Sequence, residues 1–476
     1  MSNPTNKDGN NQSIKTILGI KSREFSRREK SKTDALFEKS LLSLKQKRDK
    51  KKSVLAEFSQ LNNFSTDSSD SYDDLPVDYD SDLIVTPDVD HLEYDDTPLI
   101  HTPVPDIFFK NPSEENAVKV SEFLQQLDLT PIQDILKSFY GEDYRKKYPP
   151  LAMLRASLFK KIKKIRYYTD LHKYLTEYSE DALNLGFEYD KNGKVAIPNH
   201  RTFRHFEAER LGRNGMELIF DTFVKEITKQ LKKYGITVGD NVAIDSTPLE
   251  DNNGDYNPKY KKAGYKLHNL IDTDTNIPLS HATSDMKDFD GWYLTPLLEK
   301  AQIRGCKIDT IYADNHYSTF DNYATVNVIF GAKPYFNLSE TDVIHEEATK
   351  ERLDELYDSF VGKDYYVRDA DDNYKHMILI AHGYKELVGQ YYRNSTIREK
   401  EECPDGYIDA YHQRSKVEGH HGAMKVNLLL EVAMNRRGLE NTHRHATMSL
   451  IALLSVVLAR VQFGYTENLT RMNGLV

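Results

Sequence analysis

The sequence predicts an α/β catalytic domain over 237–476 with a β-rich insertion at about 339–405, preceded by an all-helical domain over 109–236 and a disordered tail over 1–108. Three observations predict it. Charge in the first hundred residues is sorted into opposed blocks. Between 109 and 236 apolar residues recur at helical spacing, and after Gly239 short β-prone runs alternate with turn signals and helix-length segments.

In the tail, residues 1–60 hold 15 Lys/Arg against 7 Asp/Glu, densest at Lys45, Lys47, Arg48, Lys50, Lys51 and Lys52, whereas residues 61–98 hold 12 Asp/Glu and no Lys/Arg. The formal charge of −10, which alone argues against a nucleic-acid binder, hides this segregation. The acidic block is Ser, Asp and Tyr with Pro76, Pro87 and Pro98, a composition that cannot bury enough apolar surface to offset chain entropy. The basic block reads as a solvated tail or as an arm attracted to phosphates, the acidic one as its competitor or as an inert solubiliser.

In the helical segment, Leu151, Leu154, Leu158, Ile162 and Ile165 make an apolar stripe, with Lys160, Lys161, Lys163, Lys164 and Arg166 interleaved and Tyr167 and Tyr168 following. Those five cations are candidate phosphate contacts, or a soluble charged face. Met216, Ile219, Phe220, Phe223, Ile227 and Leu231 repeat the spacing, and Gly235 supplies a stop.

Beyond Gly239, Val242 to Thr247 reads as a strand, and Tyr265 to Ile271 with Ile277 to Thr283 as a hairpin turning through Asp272 to Asn276. Trp292 to Ile303 has helical spacing, Ile308 to Ala313 reads as a strand, Thr319 to Phe330 as a helix ending at Gly331, and Pro334 to Leu338 as a strand. Tyr365 to Arg368, His376 to Ala381 and Leu387 to Arg393 are rich in β-formers and define the insertion. From Ile408 the chain returns to helix.

The apolar run near 446–459 is shorter than the ~20 residues that cross a bilayer, so no membrane partner is expected. Cys306 and Cys403 are the only cysteines and no secretory leader is visible, which points to a reducing, cytoplasmic compartment.

The order βββαβαβ followed by an acidic helix is the plan of a ribonuclease-H-like domain, in which carboxylates from neighbouring strands and one helix converge on divalent metal. Asp245 lies within the apolar run Val242-Ala-Ile-Asp-Ser-Thr, where a carboxylate is costly unless paired or metal-bound, and Asp314 ends the strand Ile311-Tyr-Ala-Asp in the same way. Each alone also fits a strand-end or helix-cap aspartate. Downstream, Tyr411, Arg414, Glu418 and Lys425 fall within roughly 60° of one helix face. A carboxylate flanked by two cations and a phenol suits a phosphodiester beside metal; the plainer alternative is a salt-bridged face with Arg414 and Glu418 at i, i+4.

Tyr-x2-Arg-x3-Glu-x6-Lys, filled here by Tyr411, Arg414, Glu418 and Lys425, resembles the YREK signature of DDE transposases of prokaryotic insertion sequences. Ala243-Ile-Asp-Ser-Thr247 looks like the family's first-Asp strand and Tyr312-Ala-Asp-Asn-His-Tyr317 like its second, while Tyr148 through Phe206 is similar to the family's helical N-terminal domain. The resemblance covers about 145–465. His316 departs from it, standing where a small residue is usual, and His420-His421 occupies a position often aromatic.

The resemblance implies a DNA transposase that cuts element ends and joins them to target DNA. Asp245, Asp314 and Glu418 would hold two Mg²⁺ or Mn²⁺ ions, and Tyr411, Arg414 and Lys425 would hold DNA phosphate. Element terminal repeats and target DNA are the implied partners, with at least a homodimer in the active complex. Two other classes share these residues: a catalytically silent DNA-binding regulator and a nuclease without strand transfer. His268, His281, His316, His420 and His421 are too scattered in the sequence to indicate zinc.

Overall fold

Apolar residues spaced by three and four turn the segment before Gly239 into helices. The structure, a computed structural model, describes residues 119–140, 147–339, 341–431 and 438–472; the tail and its charge blocks lie outside the described residues. The helices are α1 (Val120–Gln126), α2 (Thr130–Ser138), α3 (Pro150–Ile162), α4 (Tyr168–Glu177), α5 (Ser179–Asn184), α6 (His200–His205) and α7 (Gly212–Lys233). Pro150 opens α3, where a missing N–H costs nothing, and Asn199 caps α6 by accepting from the Thr202 amide at 2.9 Å. The expected stripe of α7, from Met216 to Leu231, is buried, and Gly235 follows at φ 76°.

Strands β1 (Asn241–Asn257), β2 (Lys262–Asp272), β3 (Pro278–Asp285), β4 (Thr310–Ala313) and β5 (Lys333–Phe336) form one sheet in the order β3-β2-β1-β4-β5. The first three pair antiparallel, while β4 runs parallel to both β1 and β5. The β2–β3 turn is fixed by Asp272, whose carboxylate accepts from the Gly239 amide at 2.8 Å and from the Thr275 amide and hydroxyl at 2.8 and 2.6 Å. Where the β1–β2 register shifts between Glu250 and Asp255, Gly264 at φ 151° approaches so closely that a Cβ would stand 2.0 Å from the Leu249 carbonyl oxygen.

Helix α8 (Leu294–Ile303) packs against β3, and α9 (Phe320–Ala324) precedes β5. The segment expected to be β-rich is helical instead. It forms α10 (Lys350–Asp358), α11 (Asp372–Leu379) and α12 (Lys385–Glu402); His376 lies in α11, Leu387 to Arg393 lie in α12, and Tyr365 to Arg368 are irregular. Tertiary packing overrides the local β propensity. Val388, Gly389, Arg393, Thr396 and Ile397 recur at helical spacing and are among the buried residues of α12, which lies against α9.

The chain then forms α13 (Pro404–Tyr411), a single 3₁₀ turn over His412–Arg414, α14 (Ser415–Leu428) and α15 (Leu439–Gln462). At 24 residues α15 is long and apolar enough to cross a membrane, contrary to the shorter run expected from sequence, yet it is almost wholly buried against α7, α3 and β3. It is a core helix. One continuous apolar core joins the early helices to the sheet, from Phe123 through Phe220 and Ile311 to Val457.

Candidate active site

The strand pairing sets the first two carboxylates side by side. Ala243 pairs with Tyr312 across the parallel β1–β4 ladder, so Asp245, two residues further along β1, and Asp314, the extended residue that follows β4, come out on the face of Ala243 and Tyr312. Those two residues pack with Ile271 and with Val417 of α14 in a small apolar cluster, which brings α14 over that face. Glu418 is the next residue of α14.

Arg414 ties β1 to α14. Its guanidinium donates to Asp245 Oδ2 at 2.9 Å and meets Glu418 Oε1 at 2.9 Å. Asp245 Oδ1 accepts from the Ser246 amide at 2.8 Å, and Asp314 accepts from the His316 amide at 2.9 Å and lies 3.0 Å from the ring Nδ1 of His316. Asp245 is nearly buried, whereas Glu418 is half exposed. Burial dominates the Asp245 carboxyl: opposed by Arg414 and the Ser246 amide, and reinforced by the charges of Asp314 and Glu418, it pushes the pKa up to about 6. Tyr411 belongs to the same cluster, since its hydroxyl is raised by burial first, against the pull of Arg414, with Asp314 and Asp245 adding to the rise.

Lys425 is placed differently. It faces Glu431 at 3.6 Å, an acid that also takes Lys262 at 2.7 Å. Arg414 occupies the space between Asp245 and Glu418. Among the described residues, the group of three His, Cys, Asp or Glu donors drawn within 4.8 Å of one another is Glu217, His281 and His443, not the three carboxylates.

The basic face of the helical segment also needs correction. Lys160 and Lys161 are buried. Because α3 packs against α15, positions between its apolar residues also face protein: Lys161 Nζ donates to the His445 carbonyl at 3.1 Å and to Ser449 Oγ at 2.8 Å, and Lys160 lies 4.6 Å from the centre of the Tyr168 ring. Lys163 is partly exposed, and Lys164 and Arg166 are exposed beyond the end of α3.

Sequence reasoning missed several neighbours of the carboxylates. Ser246 Oγ donates to Asp290 Oδ2 at 3.1 Å, and Asp290 also forms a buried ion pair with Lys266. Tyr317 is fully buried; burial first, then Asp290, Asp245 and Asp314, pushes its hydroxyl well above the usual range, which places a fourth acid in the same field. Asp290 ends a stretch in which Asp285 and Asp288 look equivalent, so nothing in the spacing singled it out.

Residues 237–455 match the family model of the transposase DDE domain, and over this span, which begins just before β1 and ends inside α15, the chain is similar to that domain. The match supports a transposase in general, a class that acts on DNA and generally uses divalent metal ions. Neither a curated protein nor a solved structure matches the chain.

Proposed function

We propose that the chain is a DDE transposase of the YREK group, on a ribonuclease-H-like catalytic domain over 237–476 with a helical DNA-binding domain over 109–236, and that it cuts insertion-sequence ends and joins them to target DNA. The observation that carries the reading is the guanidinium of Arg414, bonded to Asp245 on β1 and to Glu418 on α14, 169 residues of chain from the first and four from the second. It gives the acidic strand and the acidic helix one shared centre, with Asp314 at the end of the adjoining strand β4.

The donor chemistry fits a hard divalent cation. Asp245, Asp314 and Glu418 offer only carboxylate oxygen, the set that Mg²⁺ or Mn²⁺ favours, and the raised pKa of Asp245 marks a buried acid whose charge the protein leaves undercompensated. Two such ions, when bound, acidify water or a DNA 3′-hydroxyl and neutralise charge developing on the phosphate. Arg414 engages Oε1 of Glu418, and the half-exposed Glu418 side chain would turn its carboxylate toward the two aspartates to hold the ions. Arg414, which also holds Asp245, would turn the guanidinium edge that faces Glu418 to a phosphodiester oxygen, and Tyr411 beside it would position that phosphate. Lys425, which shares Glu431 with Lys262, would contact DNA further along α14. Cleavage at two ends implies a homodimer in the active complex.

The test is a linear DNA carrying the terminal repeats that flank the coding region, incubated with the full-length protein and Mg²⁺ or Mn²⁺. Cleavage followed by joining is expected, and is expected to vanish in D245N, D314N and E418Q while DNA binding persists. Cleavage without joining would identify a nuclease, and binding alone a silent regulator; either overturns the reading.

A further inference from the structure

Outside the carboxylate centre, four polar side chains from three elements converge on one point: Glu217 from α7, His281 from β3, and His443 and Thr447 from successive turns of α15. His443 Nε2 lies 3.1 Å and His281 Nε2 3.5 Å from Glu217 Oε1. Thr447 Oγ1 lies 2.8 Å from His281 Nε2 and 3.4 Å from His443 Nε2. An ion bonded tetrahedrally to nitrogen and oxygen at about 2.0–2.1 Å separates its ligand atoms by roughly 3.3 Å, and the observed spacings bracket that value.

The surroundings of His443 match those of a ligating imidazole, whereas the far nitrogen of His281, Nδ1, is buried without a hydrogen-bond partner. Both rings are fully buried and stacked with centres 5.4 Å apart. The far nitrogen of His443, Nδ1, meets Thr283 Oγ1 at 3.0 Å, the kind of outer partner that fixes a ligand ring and its tautomer. Glu217 Oε1 is a buried oxygen without a well-formed hydrogen bond, although two imidazole nitrogens face it. The other carboxylate oxygen is engaged by Lys300 at 3.5 Å and Arg304 at 3.7 Å, and Arg304 is itself paired with Asp221. Those cations oppose a dication, and they sit on Oε2, leaving Oε1 to the histidines.

We propose that Glu217, His281 and His443 form a binding site for one zinc-type divalent ion, with Thr447 or a water as the fourth ligand. Two imidazoles and one carboxylate favour Zn²⁺ over Mg²⁺. The ion would staple α7, β3 and α15, joining the helical segment to the sheet independently of the proposed transposase chemistry.

The test uses full-length protein carrying D245N, D314N and E418Q, so that the carboxylate centre cannot contribute. After chelator stripping, Zn²⁺ is titrated against a chromophoric competitor, Co²⁺ is added separately for its visible spectrum, and melting is followed with Zn²⁺ and with Mg²⁺. One equivalent of Zn²⁺, a tetrahedral Co²⁺ spectrum and a melting temperature raised by Zn²⁺ but not by Mg²⁺ are expected. H443A carries a risk of misfolding, so the decisive variant is E217Q, which keeps side-chain shape; it should weaken Zn²⁺ binding at least ~10-fold while retaining the circular dichroism of the parent. Absence of a stoichiometric equivalent, or unchanged affinity in folded E217Q, overturns the site, which is then a closed hydrogen-bond network.

Discussion

Arg414 and Asp245 meet at 2.9 Å across the strand–helix junction, and the bond is insufficient to bring the Asp245 carboxyl back to the ordinary range: its pKa stays at about 6. The raised value means that the folded protein holds a proton on Asp245 more tightly than the unfolded chain does. Stability from this group is therefore fully present below about pH 4 and is lost as pH rises through about 6. In metal-free protein at pH 8, D245N should be more stable than wild type by on the order of 1–3 kcal/mol, and the difference should vanish at pH 4. Urea denaturation of both proteins at the two pH values measures it. The same proton competes with cations, so divalent binding at this centre should weaken below about pH 6.

The same pair predicts coupling. Removing the Arg414 guanidinium leaves Asp245, Asp314 and Glu418 facing one another without their shared cation, so R414A should destabilise metal-free protein by about 1–3 kcal/mol at pH 8. In a D245N background the penalty should shrink, because one of the charges that Arg414 compensates is gone. A four-member denaturation cycle decides the point: equal costs of R414A in both backgrounds would show that the Arg414–Asp245 bond carries no coupling energy.

The two halves of the basic run should separate by experiment. Replacing Lys163, Lys164 and Arg166 by Ala should lower the salt slope of DNA binding by ~0.9 for every phosphate that is no longer neutralised, with little effect on melting. Lys161→Ala should leave the slope unchanged and lower the melting temperature, since its ammonium is bonded to the His445 carbonyl and to Ser449 inside the fold. A slope that falls only with Lys161 would reverse the assignment.

What a sequence reveals of such a molecule depends on the range of the interactions. Strand order from Asn241 to Phe336 could be read because alternation and turn residues such as Asp272 act locally, and Asp245 and Asp314 stood out as acids in apolar strands. Arg414 and Glu418 stood out because i, i+4 spacing places two side chains on one side of a helix. Lys161 misled because a sequence shows which side chains interleave on α3 but not that α15 covers that face. The site at Glu217, His281 and His443 had no sequence signal: its members come from three elements, and only the i, i+4 step from His443 to Thr447 is local. The insertion failed for the same reason, since Leu387 to Arg393 carries β-formers and its helical state depends on packing against α9.

Gly389 offers the sharpest check on that helical insertion. In the interior of a helix, Gly→Ala should be stabilising by about 1 kcal/mol on propensity alone. Here a Cβ on residue 389 would lie 2.0 Å from the backbone carbonyl oxygen of Phe320 and 2.8 Å from its Cα, where α12 meets α9. A side chain could rotate away from such a contact, but a backbone carbonyl moves only with its helix, so overpacking outweighs propensity and G389A should cost on the order of 1–3 kcal/mol. The control is Gly419→Ala on α14, another helical glycine, whose Cβ would meet nothing within 4 Å. Melting curves should show G419A at or above wild type and G389A below it; a stabilised G389A would mean that α12 does not lie against α9 at this residue.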